Sequence, residues 1–91
     1  MVNNLYTIIL NWDDGTFVWQ GTAGSINDAI KIWSDGLDLN SIGSSLSKRE
    51  KFLFDVHNES PVLLQGMKNV WCISVELEGK LALVNIILTI Q

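Results

Sequence analysis

Nucleophilic chemistry in this 91-residue chain would have to start from its one histidine and one cysteine, His57 and Cys72. A cysteine nucleophile needs a histidine within hydrogen-bond reach and surroundings that favour the thiolate. Nothing in the spacing of His57 and Cys72 brings them together. Cys72 falls within an alternating apolar segment, away from any helix N-terminus that would lower its pKa. A small, semi-buried thiol accounts for it. Two such residues are also too few for a structural zinc site. The segment from Asp38 to Glu50 has Asp38, Asn40 and Gly43 where a calcium loop has its first, third and sixth residues. However, Ile42 and Arg49 stand where an oxygen ligand and a bidentate acid belong.

Paired carboxylates lead no further. Asp13 and Asp14 are adjacent and read as turn-forming acids. Glu76 and Glu78 flank a second turn, whereas glycoside hydrolysis needs two acids across a cleft. The stretch Gly21 to Ser25 precedes a helix, whose N-terminus can hold an anion. No Walker lysine or dinucleotide fingerprint accompanies it, so a capping serine after a short glycine loop explains it. Trp12, Phe17 and Trp19 could stack bases or sugars, but such platforms come with a basic groove. Here the net charge is −4, and the basic cluster is only Lys48, Arg49 and Lys51. Nucleic acid is therefore set aside as a partner, and the rings are assigned to the core.

The elements that would position these residues follow from periodicity. Leu5 to Trp12 reads as a strand, with Tyr6, Ile8, Leu10 and Trp12 on one face. Asp14-Gly15 marks a two-residue hairpin turn, which sets Trp12 opposite Phe17 and Leu10 opposite Trp19. Thr16, Val18 and Gln20 join the more polar face. Ser25-Ile-Asn-Asp28 is a capping-box variant, and Ile26, Ala29, Ile30, Trp33 and Leu37 recur at helical spacing, which predicts a helix over 26–35 with Gly36 as its stop. Leu37 to Ser47 reads as a loop. Ser47-Lys-Arg-Glu50 is a full capping box, which predicts a second helix starting near Lys48. Phe52, Phe54 and Val56 also alternate as a strand would, and the cap decides for helix. Pro61 closes that segment.

Val62 to Leu64 is a short apolar piece. Beyond it, Val70 to Leu77, a Glu78-Gly79 turn and Lys80 to Ile90 form a second hairpin. Trp71, Ile73, Val75 and Leu77 should face Ile86, Val84, Ala82 and the Lys80 stem, with Leu88 and Ile90 extending that face. Cys72, Ser74, Glu76 and Asn85 share the other side with Leu81, Leu83 and Ile87, so that side is half apolar.

The expected fold is α+β, a two-layer sandwich. It has a four-stranded antiparallel sheet and two helices on one face, in the order ββααββ, as a single domain over 1–91. A lone cysteine forms no intramolecular disulfide. The N-terminal residues lack the basic and small-residue pattern of a signal peptide, and no apolar run approaches the ~20 residues of a membrane span. A cytoplasmic chain without cofactor or metal is the expectation.

Residues 10–34 resemble the opening of HicB-type antitoxins, through Asp14-Gly15, Phe17, Ser25 and Asp28-Ala29. The resemblance implies a hairpin followed by a helix. The proline-glycine loop of that family is missing between them, and so is a DNA-binding tail. The likeness covers about a quarter of the chain.

At 47% hydrophobic and 18% charged, with four tryptophans, the chain is richer in apolar residues than an average soluble domain, which points either to an aromatic-rich core or to area meant for another chain. The first functional reading is a non-enzymatic protein-interaction module. It would bind a partner or form a homodimer through a strand edge or through the half-apolar sheet face at Ser74, Leu81, Leu83 and Ile87. The second is a small-ligand-binding or enzymatic domain with a pocket near Trp33, His57 and Cys72. The third is an acidic antitoxin-like or immunity-like inhibitor of a basic partner.

Overall fold

The computed structural model describes residues 3–44 and 48–90, except for the side chains of Asn40 and Ile90. The first hairpin is formed by β1 (Asn4–Trp12) and β2 (Gly15–Ala23), the last by β4 (Val70–Leu77) and β5 (Lys80–Ile90). Between them come α1 (Ile26–Gly36), α2 (Arg49–Asn58) and a two-residue strand β3 (Val62–Leu63). The strands make one antiparallel sheet in the order β2-β1-β5-β4-β3. It has five strands where the sequence suggested four, so the chain order gains a strand between the helices and the last hairpin. Val62 and Leu63 pair with Cys72 and Trp71. Two residues are too few to show a period, so only pairing reveals them as a strand.

The second hairpin has the expected register. Glu78 and Gly79 both take positive φ, and Trp71, Ile73, Val75 and Leu77 pair with Ile86, Val84, Ala82 and Lys80. The first hairpin turns one residue earlier than its Asp14-Gly15 signal suggested. Asp13 and Asp14 occupy the two positive-φ positions, at 50° and 65°. Leu10 therefore pairs with Phe17, Ile8 with Trp19 and Trp12 with Gly15. Aspartate tolerates the left-handed region, which leaves Gly15 for the strand, where its missing side chain matters. A Cβ at Gly15 would lie 2.7 Å from Phe17 Cζ, and one at Gly21 would run into the Trp19 ring. Each ring thus lies along β2 in the space a glycine leaves open. The register moves by two residues, so every side chain keeps its expected face.

Both helices lie on the inner face of the sheet, where Tyr6, Ile8, Leu10 and Trp12 alternate into the core with Ile73, Val75, Leu77, Ala82, Val84 and Ile86. Ser25 caps α1, accepting the Asp28 N–H at 3.2 Å. The buried stripe of α1 is Ala29, Ile30, Trp33 and Ser34. Gly36 is the last helical residue and does not take the left-handed conformation. Instead, Arg49 at the start of α2 reaches across to the end of α1. Its Nη1 donates to Leu37 O and its Nη2 to Asp35 O, both at 2.7 Å. A cation on the free carbonyls of a helix C-terminus satisfies them and matches the helix dipole.

The second helix forms as the sequence predicts, burying Phe52 and Val56 four residues apart and leaving Phe54 exposed. Lys48 stands at its N-cap without a side-chain cap bond. The expected cap, Ser47, lies outside the described residues, as does the side chain of Ile90. The segment read as a loop contains a 3-10 turn, Leu39–Ile42, with Leu39 and Ile42 buried in the core. Its apolar pair is three apart, a single-turn signal too short to separate from loop. Ser44 then anchors the segment, its hydroxyl donating to Glu78 Oε2 at 2.8 Å. Among the described residues, no helix is long and apolar enough to cross a membrane.

Because Arg49 ties the end of α1 to the start of α2 through two charged hydrogen bonds, Arg49→Ala is expected to lower the unfolding free energy by about 1.5–3 kcal/mol. Urea denaturation followed by circular dichroism should show the midpoint moving at unchanged slope.

Candidate functional site

The residues named for a pocket, Trp33, His57 and Cys72, do not come together. Trp33 is buried in α1 and meets Phe52 of α2 edge-on, with ring centroids 6.3 Å apart. His57 lies in the last turn of α2. Cys72 pairs with Val62 and Asn85 on the outer side of the sheet, away from both helices. Its thiol makes a long 3.8 Å contact to Ile73 O.

The structure gives His57 a neighbour that spacing could not. Its Nε2 lies 2.8 Å from Ser34 Oγ and 3.8 Å from Asp35 Oδ1. These three residue types invite comparison with a catalytic triad, but the geometry does not match. A triad needs the serine on one ring nitrogen and the carboxylate on the other. Here both fall on Nε2. The Ser34 hydroxyl also lies 3.2 Å from Lys31 O and is sealed from solvent. The groove beside it, lined by Asn27, Ile30, Lys31, Val56, His57 and Glu59, holds ≈ 220 Å³. That is below the roughly 300–1,000 Å³ of ordinary small-molecule sites. Ser34 occupies a helical stripe position one residue after Trp33, and that was its only signal in the sequence. Among the described residues, no group of three His, Cys, Asp or Glu side chains is placed to hold a metal ion.

The residues named for an interface do share one surface. Ser74 pairs with Leu83, Glu76 with Leu81 and Val70 with Ile87, all with side chains on the outer face. Across the sheet, Val18, Ile9, Asn85, Cys72 and Val62 fall in one row through all five strands. Val18 is 65% exposed, Val62 63% and Leu81 62%. Among the described strand residues on this face, Glu76 is the one charged side chain. Its polar groups largely satisfy one another. Gln20 Nε2 donates to Thr7 Oγ1 at 2.8 Å, Thr7 and Thr89 share a bond at 2.6 Å, and Thr16 donates to Asn11 at 3.0 Å. Val18, Ile9 and Val62 join the patch only through strand order and register, which the sequence alone does not define.

A third feature lies where β2 ends the sheet. A trough of ≈ 330 Å³ runs between this edge and the end of α1, lined by Phe17, Val18, Trp19, Trp33, Leu37 and Ser41 among others. Phe17 and Trp19 are half-buried there, packed on the core from their strand side. The chain matches no known protein family, no curated protein and no solved structure.

Because Ser34 is closed off and its histidine is shared with Asp35, an excess of a fluorophosphonate reagent at neutral pH is expected to leave the chain at its native mass. Stoichiometric labelling at Ser34, located by peptide mapping, would contradict this account of the contact.

Proposed function

We propose that this chain is a small non-enzymatic protein-interaction module that binds through the outer face of its sheet, to a partner protein or to a second copy of itself. The observation that supports this reading is the outer face itself. An antiparallel sheet with one face in water ordinarily alternates apolar-in and polar-out. Here Ile9, Val18, Leu81, Leu83 and Ile87 interrupt the polar side, with a single carboxylate among them. Depletion of charge at the centre of a patch is a mark of interface cores. At strand spacings of about 4.8 Å and rises of about 3.4 Å per residue, the face measures roughly 20 Å by 30 Å. The apolar side chains occupy part of that area, within the size range of apolar patches that on monomers are often functional.

The test is site-directed photo-crosslinking. A photoreactive residue at Leu81, on the patch, is expected to capture a discrete protein from native extract or a second copy of the chain. The same group at Asn27, on the helix side, is expected to capture neither. Leu83→Lys places an ammonium in the middle of the patch. It should weaken capture at Leu81 by about tenfold or more, a loss of ~1.4 kcal/mol or greater, while the far-ultraviolet spectrum stays unchanged. Equal capture at both positions, or none at Leu81, would count against the proposal.

A further inference from the structure

We infer that β2 is a self-complementary edge, and that two copies of this chain join by pairing β2 with β2 in antiparallel, centred on Trp19. This deepens the interaction-module reading and rests on it, but it stands on a separate observation: the free edge of the sheet rather than its outer face.

The hairpin defines which backbone groups are free. In a two-residue turn with both central φ positive, the flanking residues Trp12 and Gly15 are a hydrogen-bonded pair. Bonded and non-bonded pairs then alternate along an antiparallel ladder. Gly15, Phe17, Trp19 and Gly21 therefore bond to β1, and the N–H and C=O groups of Thr16, Val18, Gln20 and Thr22 point off the sheet. Among the described residues, the strand itself carries none of the usual guards of an edge. Its nine residues include no charge and no proline, and its pairing with β1 runs without a bulge. The opposite edge, β3, is only two residues long.

The sequence of β2 fits a second copy of itself. An antiparallel pairing centred on Trp19 sets Thr16 opposite Thr22, Val18 opposite Gln20 and Phe17 opposite Gly21, each once on either side of the two-fold axis. All four free backbone positions then find partners. On the outer face, the threonines meet as a favourable cross-strand pair. On the inner face, Phe17 of each copy stands opposite Gly21 of the other, where the Trp19 ring lies, so an aromatic contact between Phe17 and Trp19 is made twice. The two Trp19 backbones face each other at the axis, and each ring, laid over its own Gly21, lies beside the trough where Phe17 and Leu37 are partly open. The same register brings Asp14 of one copy opposite Gly24 of the other, next to the capped start of α1. A carboxylate is favoured at a helix N-terminus. The result is one continuous sheet with doubled outer face. A strand pair with two aromatic contacts is a small interface, so the dimer is expected to exchange with monomer at roughly micromolar concentrations or above.

The experiment combines sedimentation velocity on the full chain with a register-specific disulfide. Val18→Pro removes one free N–H and leaves the bonds to β1 in place. It is expected to shift the dimer-to-monomer midpoint at least tenfold higher in concentration with an unchanged far-ultraviolet spectrum, while Asn27→Ala, on the helix side, leaves the midpoint where it was. In a Cys72→Ser background, a mixture of Thr16→Cys and Thr22→Cys chains is expected to form a disulfide-linked dimer under mild oxidation. Neither variant alone should do so, because each introduced cysteine faces a threonine in the homodimer. The crosslink reads the register whether or not the proline variant folds. Self-association abolished by Leu83→Lys, with no mixed crosslink, would overturn the edge pairing and leave the face-binding reading intact. A monomer at all concentrations would overturn the edge pairing too, and capture at Leu81 would then decide the face-binding reading separately.

Discussion

The interaction on which the rest of the structure depends is the ladder between β1 and β5, the two ends of the chain. Eight pairs, from Leu5↔Ile90 to Trp12↔Ala82, join strands separated by the whole of the intervening sequence. Closing so long a loop costs entropy, though the cost grows only slowly with length. The ladder is placed where the return is greatest. Ile8 faces Ile86 and Leu10 faces Val84 at the sheet centre, and all four are fully buried. An isolated hairpin is marginal in water, and three or more strands with an apolar face are needed for stability. The two hairpins therefore stabilise each other only once β1 meets β5.

That junction also dictates how the helices lie. The chain leaves the sheet at one edge, after β2, and re-enters near the other, at β3. Everything from α1 to α2 has to cross the inner face. The first helix covers the β1–β2 half and the second covers β4. Their meeting point is held by the Trp33–Phe52 ring contact and by Arg49 on the last carbonyls of α1. At the turn end of the sheet, Trp12 Nε1 donates to Leu77 O at 2.9 Å across two strands, a buried bond that ties the hairpins together. Lys80 pairs with Asp13 over the same Trp12 ring. That hydrogen bond and the adjacent negative charge hold the ammonium above its ordinary pKa. The pair is open to solvent and adds little to stability, whereas the buried indole bond has no water to replace it.

Much of this was legible in the sequence where two local rules agreed. At Glu78-Gly79, turn chemistry and alternation specify the same register, and the structure has it. At Asp13-Asp14-Gly15 the turn rule favoured the glycine for a positive-φ position, but the glycine also serves as the floor for Phe17. Packing within the strand outranked turn propensity, and parity preserved the faces. The cap at Ser25 was visible because capping is a contact within four residues. The Arg49 clamp, the Ser44–Glu78 bond and the β3 pairing were not, because each joins residues eight or more positions apart that no local rule relates. The same holds for the candidate sites. Leu81, Leu83 and Ile87 share a face by simple alternation, whereas Val18 and Val62 enter that face only through strand order, and His57 meets Ser34 only because α1 and α2 cross the sheet side by side.

The two faces of the sheet also differ in what they need. A chain of about ninety residues buries only roughly two-thirds of the surface it exposes when unfolded. Here the buried apolar side chains of the strands lie on one face of a single sheet, so the core is one layer thick. Adding polar residues to the outer face would cost that core nothing, and the chain has done so in part with its threonine, asparagine and glutamine network. Leaving Ile9, Leu83 and Ile87 within that network gains no core packing and exposes apolar surface next to an unguarded edge. In a free monomer both features are liabilities for solubility. They become useful together if strands are added at β2, because an extended sheet enlarges the apolar patch while removing the edge that would otherwise recruit strands without limit. A two-fold pairing closes on itself, and β3, the remaining edge of each copy, is too short to continue the array.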